Sequence, residues 1–176
     1  TIAAAVVLAI DLMTGHAAAR ALFSSPPGFS LTSPLWYPRL VAHVLGHADW
    51  PHLAGNGTFL LLLGPTVEER YGSGRLLTMI VITAAVTAIL NAMFSSTSIL
   101  GASGIVFLLI VLSSFGNARG DGVPLTFILV AILFLGREMI DAFRDDRISQ
   151  LAHLVGGACG AVFGFLAAPP PINKVT

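Results

Sequence analysis

The chain has 176 residues, of which 10% are charged and 55% hydrophobic, and its mean hydropathy is +0.85. A soluble domain carries roughly 25% charged residues, and one this short buries only roughly 70% of its surface, so the composition points to a multispan membrane protein. Nine basic residues balance nine acidic ones and Cys159 is the single cysteine, which excludes a nucleic-acid binder and a disulfide scaffold.

The chain opens inside an apolar run, Thr1 to Met13, read as a first helix truncated at its N-terminus. A long segment follows, loop 1, from Thr14 to about Asp49. It is rich in Pro (Pro26, Pro27, Pro34, Pro38) and carries Phe29, Trp36 and Tyr37. Trp and Tyr favour the membrane interface, so loop 1 is expected to lie partly in the bilayer surface. A membrane helix needs about 20 mainly apolar residues. Trp50 to Thr66, Leu76 to Phe94, Ile99 to Gly116 and Ile148 to Ala168 meet or approach this, and Val123 to about Ile140 is the poorest span. Six helices are expected in one domain over residues 1–168, and residues 169–176 form a tail. The fold class is therefore all-α and polytopic. The basic residues divide almost evenly between the two sides, so charge counting sets no orientation.

With so few polar groups in the spans, the exceptions can be named. His52 and Asn56 open helix 2, Ser103 lies near the start of helix 4, and His153 near the start of helix 6. Polar residues within a membrane are functional candidates. Helices 2, 4 and 6 run in one direction, so these residues share one face and a similar shallow depth. A serine hydroxyl needs a base, most often an imidazole. A helix start supplies unbonded N–H groups and a positive dipole end for an oxyanion. His52 and Asn56, four apart, can both donate to one oxygen. Apart from Asp11, the acids sit at helix ends or in loops and complete no triad comfortably, so a Ser–His dyad is the expected engine. Phe107, one turn after Ser103, is placed to pack on the imidazole. Gly101 and Gly104 flank Ser103, and Gly156, Gly160 and Gly164 form a small-residue ridge. Such residues let membrane helices approach closely.

These residues resemble the rhomboid intramembrane serine proteases. Gly101-Ala102-Ser103-Gly104 is similar to the family's GxSG motif. His153, with Gly156 and Gly160, resembles its AHxxGxxxG helix. His43, His47, His52 and Asn56 resemble its HxxxH…HxxxN array, Glu68 to Gly74 its ExxxGS turn, and Arg39 the Arg of its WR motif. The resemblance runs in order from about Arg39 to Leu166. It implies a six-helix bundle with Ser103 as nucleophile, His153 as general base and then acid, and His52, Asn56 and the Ser103 N–H stabilising the oxyanion. Gly101, Gly104, Phe107, Gly156 and Gly160 support them. The implied substrate is a single-span membrane protein cut in or near its membrane segment, with no metal or cofactor. The site would face the non-cytoplasmic side, and the six-helix core has the style of a prokaryotic plasma membrane protein. Two departures stand out: Pro38 occupies the Trp position of the WR motif, and Phe107 stands where bacterial relatives often have Tyr.

Plainer readings hold elsewhere. His43 and His47 are expected to tie loop 1 to the bundle, Glu68 and Arg70 to cap and clamp a loop, and Ser113, Ser114 and Cys159 to pack. Three other functions compete with this one. A catalytically silent relative that binds membrane proteins would lack the Ser or His, and both are present. A metal site on His43, His47, His52 and His153 lacks the Glu of HExxH, since Val44 stands there. A transporter would need paired helix breaks, and Gly64-Pro65 has no counterpart. A substrate helix is expected to enter beside helix 5.

Overall fold

The computed structural model describes residues 1–117, 132 and 147–167. Apart from Ile132, the expected fifth span at Val123 to Ile140 lies outside the described residues, as do the loop after it and the tail from residue 169. Seven α-helices are described: α1 (Ile2–Met13), α2 (Ala17–Leu22), α3 (Trp36–Ala42), α4 (Trp50–Tyr71), α5 (Ser73–Phe94), α6 (Ser103–Asn117) and α7 (Arg147–Leu166). A 3-10 turn, His43–Leu45, follows α3. No β-strand occurs among the described residues, where Ser25 and Ile99 form an isolated antiparallel bridge. Five of the expected spans thus fall on helices. Among the described helices, α5 alone is long and apolar enough by itself to cross a membrane.

Helix α4 starts where Asp49 accepts the His52 N–H at 2.7 Å, an N-cap that satisfies one orphan donor. Pro51 sits in the first turn, where its missing N–H costs nothing. The helix was expected to end near Thr66, before the charged Glu68, Glu69 and Arg70. It instead runs through Pro65 to Tyr71. The reason is burial: Val67 and Tyr71 belong to the main apolar core, and the Tyr71 hydroxyl donates to the Leu112 carbonyl at 3.5 Å. Gly72, at φ +82°, turns the chain into α5, and the Ser73 hydroxyl donates to Glu68 Oε1 at 2.6 Å. Glu68 is thus the cap of this turn, as its place in the sequence implied.

Helix α6 is the centre of the molecule. Val106, Leu108, Leu109 and Leu112 are all at most 1% exposed, the mark of a helix apolar on every side. It packs most extensively against α7 and also touches α4 and α5. The α6–α7 seam is set by glycine. A Cβ on Gly156 would lie 2.0 Å from the Gly104 carbonyl oxygen, and one on Gly160 would lie 2.9 Å from that of Leu108.

The apolar run beginning at Ile99 was expected to be helical throughout. Its first residues are instead extended, and α6 begins at Ser103. Ile99 exchanges two backbone hydrogen bonds with Ser25, each 2.9 Å, and the Gly101 N–H donates to the His43 carbonyl at 2.9 Å. Loop 1 therefore holds the approach to α6 from both sides.

Loop 1 is itself organised. The buried carboxylate of Asp11 accepts the Ala19 N–H at 2.6 Å and pairs with His16 Nδ1 at 2.8 Å, clasping α2 to α1. Arg39 donates through Nε, at 2.9 Å, and through Nη2 to the Ala21 carbonyl. Trp36 is buried and contacts the rings of Phe29 and Tyr37. Phe29, Leu31, Leu35 and Tyr37 are exposed, an apolar edge suited to an interface.

Candidate active site

Ser103 is the first residue of α6 and is partly exposed. The N–H groups of a helix's first turn have no intrahelical acceptor and sit at the positive end of its dipole. The turn before it bends sharply at Gly101, whose φ is +121°, a conformation open to glycine and few other residues. The absent side chain leaves room for two neighbours. A Cβ on Gly101 would lie 2.9 Å from both Cε1 and Nε2 of His52 and 3.8 Å from Nδ2 of Asn56. One turn of α4 thus presents an imidazole and an amide to the backbone just ahead of Ser103. Asn56 is only 3% exposed, and its Nδ2 donates to no group among the described residues.

The other side of the site comes from α7. The point a Gly104 Cβ would occupy is 3.1 Å from the Ala152 carbonyl oxygen, so the residue after Ser103 touches the residue before His153. His153 is buried, and its ring stacks on Phe107 with centroids 4.5 Å apart at 17°. Phe107 therefore holds the plane of the imidazole from one turn below Ser103. The geometry brings His52 and Asn56 to Gly101, Gly104 to Ala152 and Gly156, and Phe107 to His153. Asp11 is committed to His16 and Ala19.

Three neighbours of the site were read as structural or not singled out in the sequence. His43 ties loop 1 to the bundle as expected, with its Nε2 donating to the Ala84 carbonyl at 3.2 Å. It also does more: its own carbonyl anchors the Gly101 N–H. Burial pushes the His43 imidazole down to about 4, so the ring is neutral. His47 packs edge to face on His52, with centroids 5.0 Å apart at 65°. Thr87 of α5 lies behind Gly104, its Oγ1 3.7 Å from the would-be Cβ. No sequence periodicity links these residues to the site, because they reach it from other elements. Of the four histidines weighed as metal ligands, His43 turns to Ala84 and His153 to Phe107. Among the described residues no three His, Cys, Asp or Glu side chains gather to hold an ion.

Residues 35–170 match the family model of the Rhomboid domain. The chain is 23% identical over 137 residues to the rhomboid protease GlpG of Haemophilus influenzae, covering 76% of this chain and 70% of that protein. It is 29% identical over 147 residues to the rhomboid protease GlpG of an Enterobacter species, covering 80% of this chain and 51% of that protein. The rhomboid protease GlpG of Klebsiella pneumoniae is 29% identical over 144 residues, covering 78% of this chain and 50% of that protein. The chain thus spans about half the length of the last two relatives. With the family model matching most of its residues, the chain belongs to the rhomboid family, whose members are integral membrane proteins.

Proposed function

We propose that the chain is an intramembrane serine endopeptidase that cuts single-span membrane proteins in or near their membrane segment by a Ser103–His153 dyad. One observation carries this reading: a buried amide donor, Asn56 Nδ2, and the Cε1–Nε2 edge of His52 converge on the backbone turn that leads into Ser103. A helix start joined by two side-chain donors suits a developing oxyanion, and here it lies directly ahead of Ser103.

The steps follow from the residues. His153 takes the proton of the Ser103 hydroxyl as the oxygen attacks a peptide carbonyl carbon. The carbonyl oxygen gains negative charge and is bound by the Ser103 N–H, His52 and Asn56. The tetrahedral intermediate collapses as His153 gives its proton to the leaving amine, which departs and leaves an acyl-enzyme. Water then attacks the ester, with His153 again as base, and releases the carboxylate and the serine. Phe107 takes over one task of a triad's carboxylate, fixing the plane of the imidazole by stacking. The relatives named as rhomboid proteases support the same chemistry. The six-span bundle, the site facing the non-cytoplasmic side and a prokaryotic plasma membrane belong to this reading. A silent binding module of the same fold is not favoured, since the serine, the histidine and both donors are present.

The test is cleavage of a single-span model substrate by purified protein in detergent and in liposomes. Ser103→Ala and His153→Ala should each lower the rate by on the order of a thousandfold or more, as removal of a nucleophile or its base does. A chelator should leave the rate unchanged. A fully active Ser103→Ala protein would sink the mechanism, and loss of activity with chelator would move the reading to a metal site.

A further inference from the structure

His43 is the first residue of the 3-10 turn and is 3% exposed. Its ring and its backbone bond to different elements. The ring Nε2 lies 3.2 Å from the Ala84 carbonyl oxygen of α5. A carbonyl only accepts, so Nε2 carries the proton and donates. The His43 carbonyl accepts two N–H groups: that of Gly46 at 3.1 Å, which closes the 3-10 turn, and that of Gly101 at 2.9 Å. A carbonyl oxygen has two lone pairs, so it can hold both. One residue thus joins α5, loop 1 and the turn ahead of Ser103. This bridge has little slack. Ala84 is 1% exposed and lies three residues before Thr87, on the same face of α5. Thr87 backs Gly104, with its Oγ1 3.7 Å from the would-be Cβ. Helix α5 therefore supports both flanks of Ser103, Gly104 by direct contact and Gly101 through His43. On the far side of Gly101 stands His52, 2.9 Å from the would-be Cβ.

We infer that His43 is a positioning residue of the oxyanion site: by donating to Ala84 it fixes the carbonyl that holds the Gly101 N–H, and so sets the spacing between the Ser103 N–H and the side chains of His52 and Asn56. His43 touches no reacting atom and works through the Gly101 turn alone. The negative charge that this spacing serves exists only during the reaction, so loss of the ring bond falls on kcat and leaves KM. A misplacement of about 1 Å costs on the order of a hundredfold in rate. This inference rests on the proposed hydrolase reading.

Two substitutions separate a donor from a filler. His43→Phe keeps a ring in the buried site and removes the donor. His43→Gln gives up the ring and returns an amide N–H near the Nε2 position. With folding checked by Tm in detergent, His43→Phe should lower kcat about tenfold or more with KM within about twofold. His43→Gln should regain about fivefold or more over His43→Phe. His43→Phe within about threefold of wild type, or His43→Gln as slow as His43→Phe, overturns the proposal. Should the Phe variant not fold, His43→Asn, whose amide ends one bond short of Nε2, takes its place under the same limits. Residue-resolved hydrogen exchange follows the turn itself. The Gly101 amide should exchange about tenfold or more faster in His43→Phe than in wild type, while the Ile99 amide, held by Ser25, stays within about threefold. Equal acceleration of both amides means general loosening and overturns the proposal. Imidazole 15N shifts of wild-type protein should show His43 protonated at Nε2, and a bare Nε2 overturns it whatever the variants do. Wild-type protein that cuts nothing would instead sink the hydrolase reading, and the Gly101 amide would still report on His43.

Discussion

At the scale of single residues, Gly101 carries the most consequence. Its φ of +121° strains any L-residue, and a Cβ there would meet His52 at 2.9 Å. Such backbone strain costs of order 1–3 kcal/mol. Gly101→Ala should therefore lower both Tm and kcat, the latter at least tenfold, because the new methyl displaces the proposed oxyanion donor. Gly74→Ala is the control: nothing lies within 4 Å of its Cβ position, and alanine favours a helix, so Tm should hold or rise. Equal behaviour of the two variants would show that the Gly101 turn does not place His52. The sequence revealed Phe107 as a stacking neighbour of His153 through its one-turn spacing from Ser103. It did not reveal the His47–His52 contact, since that pair joins a loop to a helix.

At the scale of elements, the α6–α7 seam decides whether Ser103 and His153 can meet. Gly156 touches the Gly104 carbonyl so closely that a Cβ would overlap it. The obstacle is backbone, which cannot swing aside as a side chain does. Forcing a methyl into a packed contact costs about 1–3 kcal/mol and pushes the start of α7 outward. Gly156→Ala should then cut cleavage at least tenfold and lower Tm, while reaction of Ser103 with a small fluorophosphonate slows in parallel. Normal labelling and cleavage would mean that the seam tolerates separation. The ridge of Gly156, Gly160 and Gly164 was legible as a close-packing face. The exact meeting of Gly156 with Gly104 was not, because register between helices leaves no trace in either helix alone.

At the scale of the whole molecule, loop 1 behaves as a brace. Ser25 pairs with Ile99, His43 reaches both Ala84 and Gly101, and Arg39 holds Ala21. Two buried neutral imidazoles lie in this brace, His43 and His47, each pushed from 6.5 down to about 4 by burial. Unfolding frees both to bind protons near 6.5, so between about 6.5 and 4 the unfolded state holds more protons than the folded one. Stability is then fully present above 6.5 and is lost as pH falls toward 4. Thermal unfolding in detergent should show Tm falling steadily from pH 7 to pH 4.5. A flat Tm across that range would show that neither histidine stays buried and neutral.

The sequence by itself determined the class of molecule and the identity of the candidate site residues. Both follow from scarcity: with 10% charged residues, helical spans stand out, and the few polar groups inside them can be named. Tertiary structure alone decided where α6 begins. Ile99 to Ala102 are apolar enough to continue the helix, yet two backbone bonds from Ser25 and one from His43 hold them out of it. Those bonds come from residues far away in the chain and use only backbone atoms, so no pattern of side chains announces them. They are what puts Ser103 at a helix end, where its N–H is left unbonded within the helix, instead of inside one.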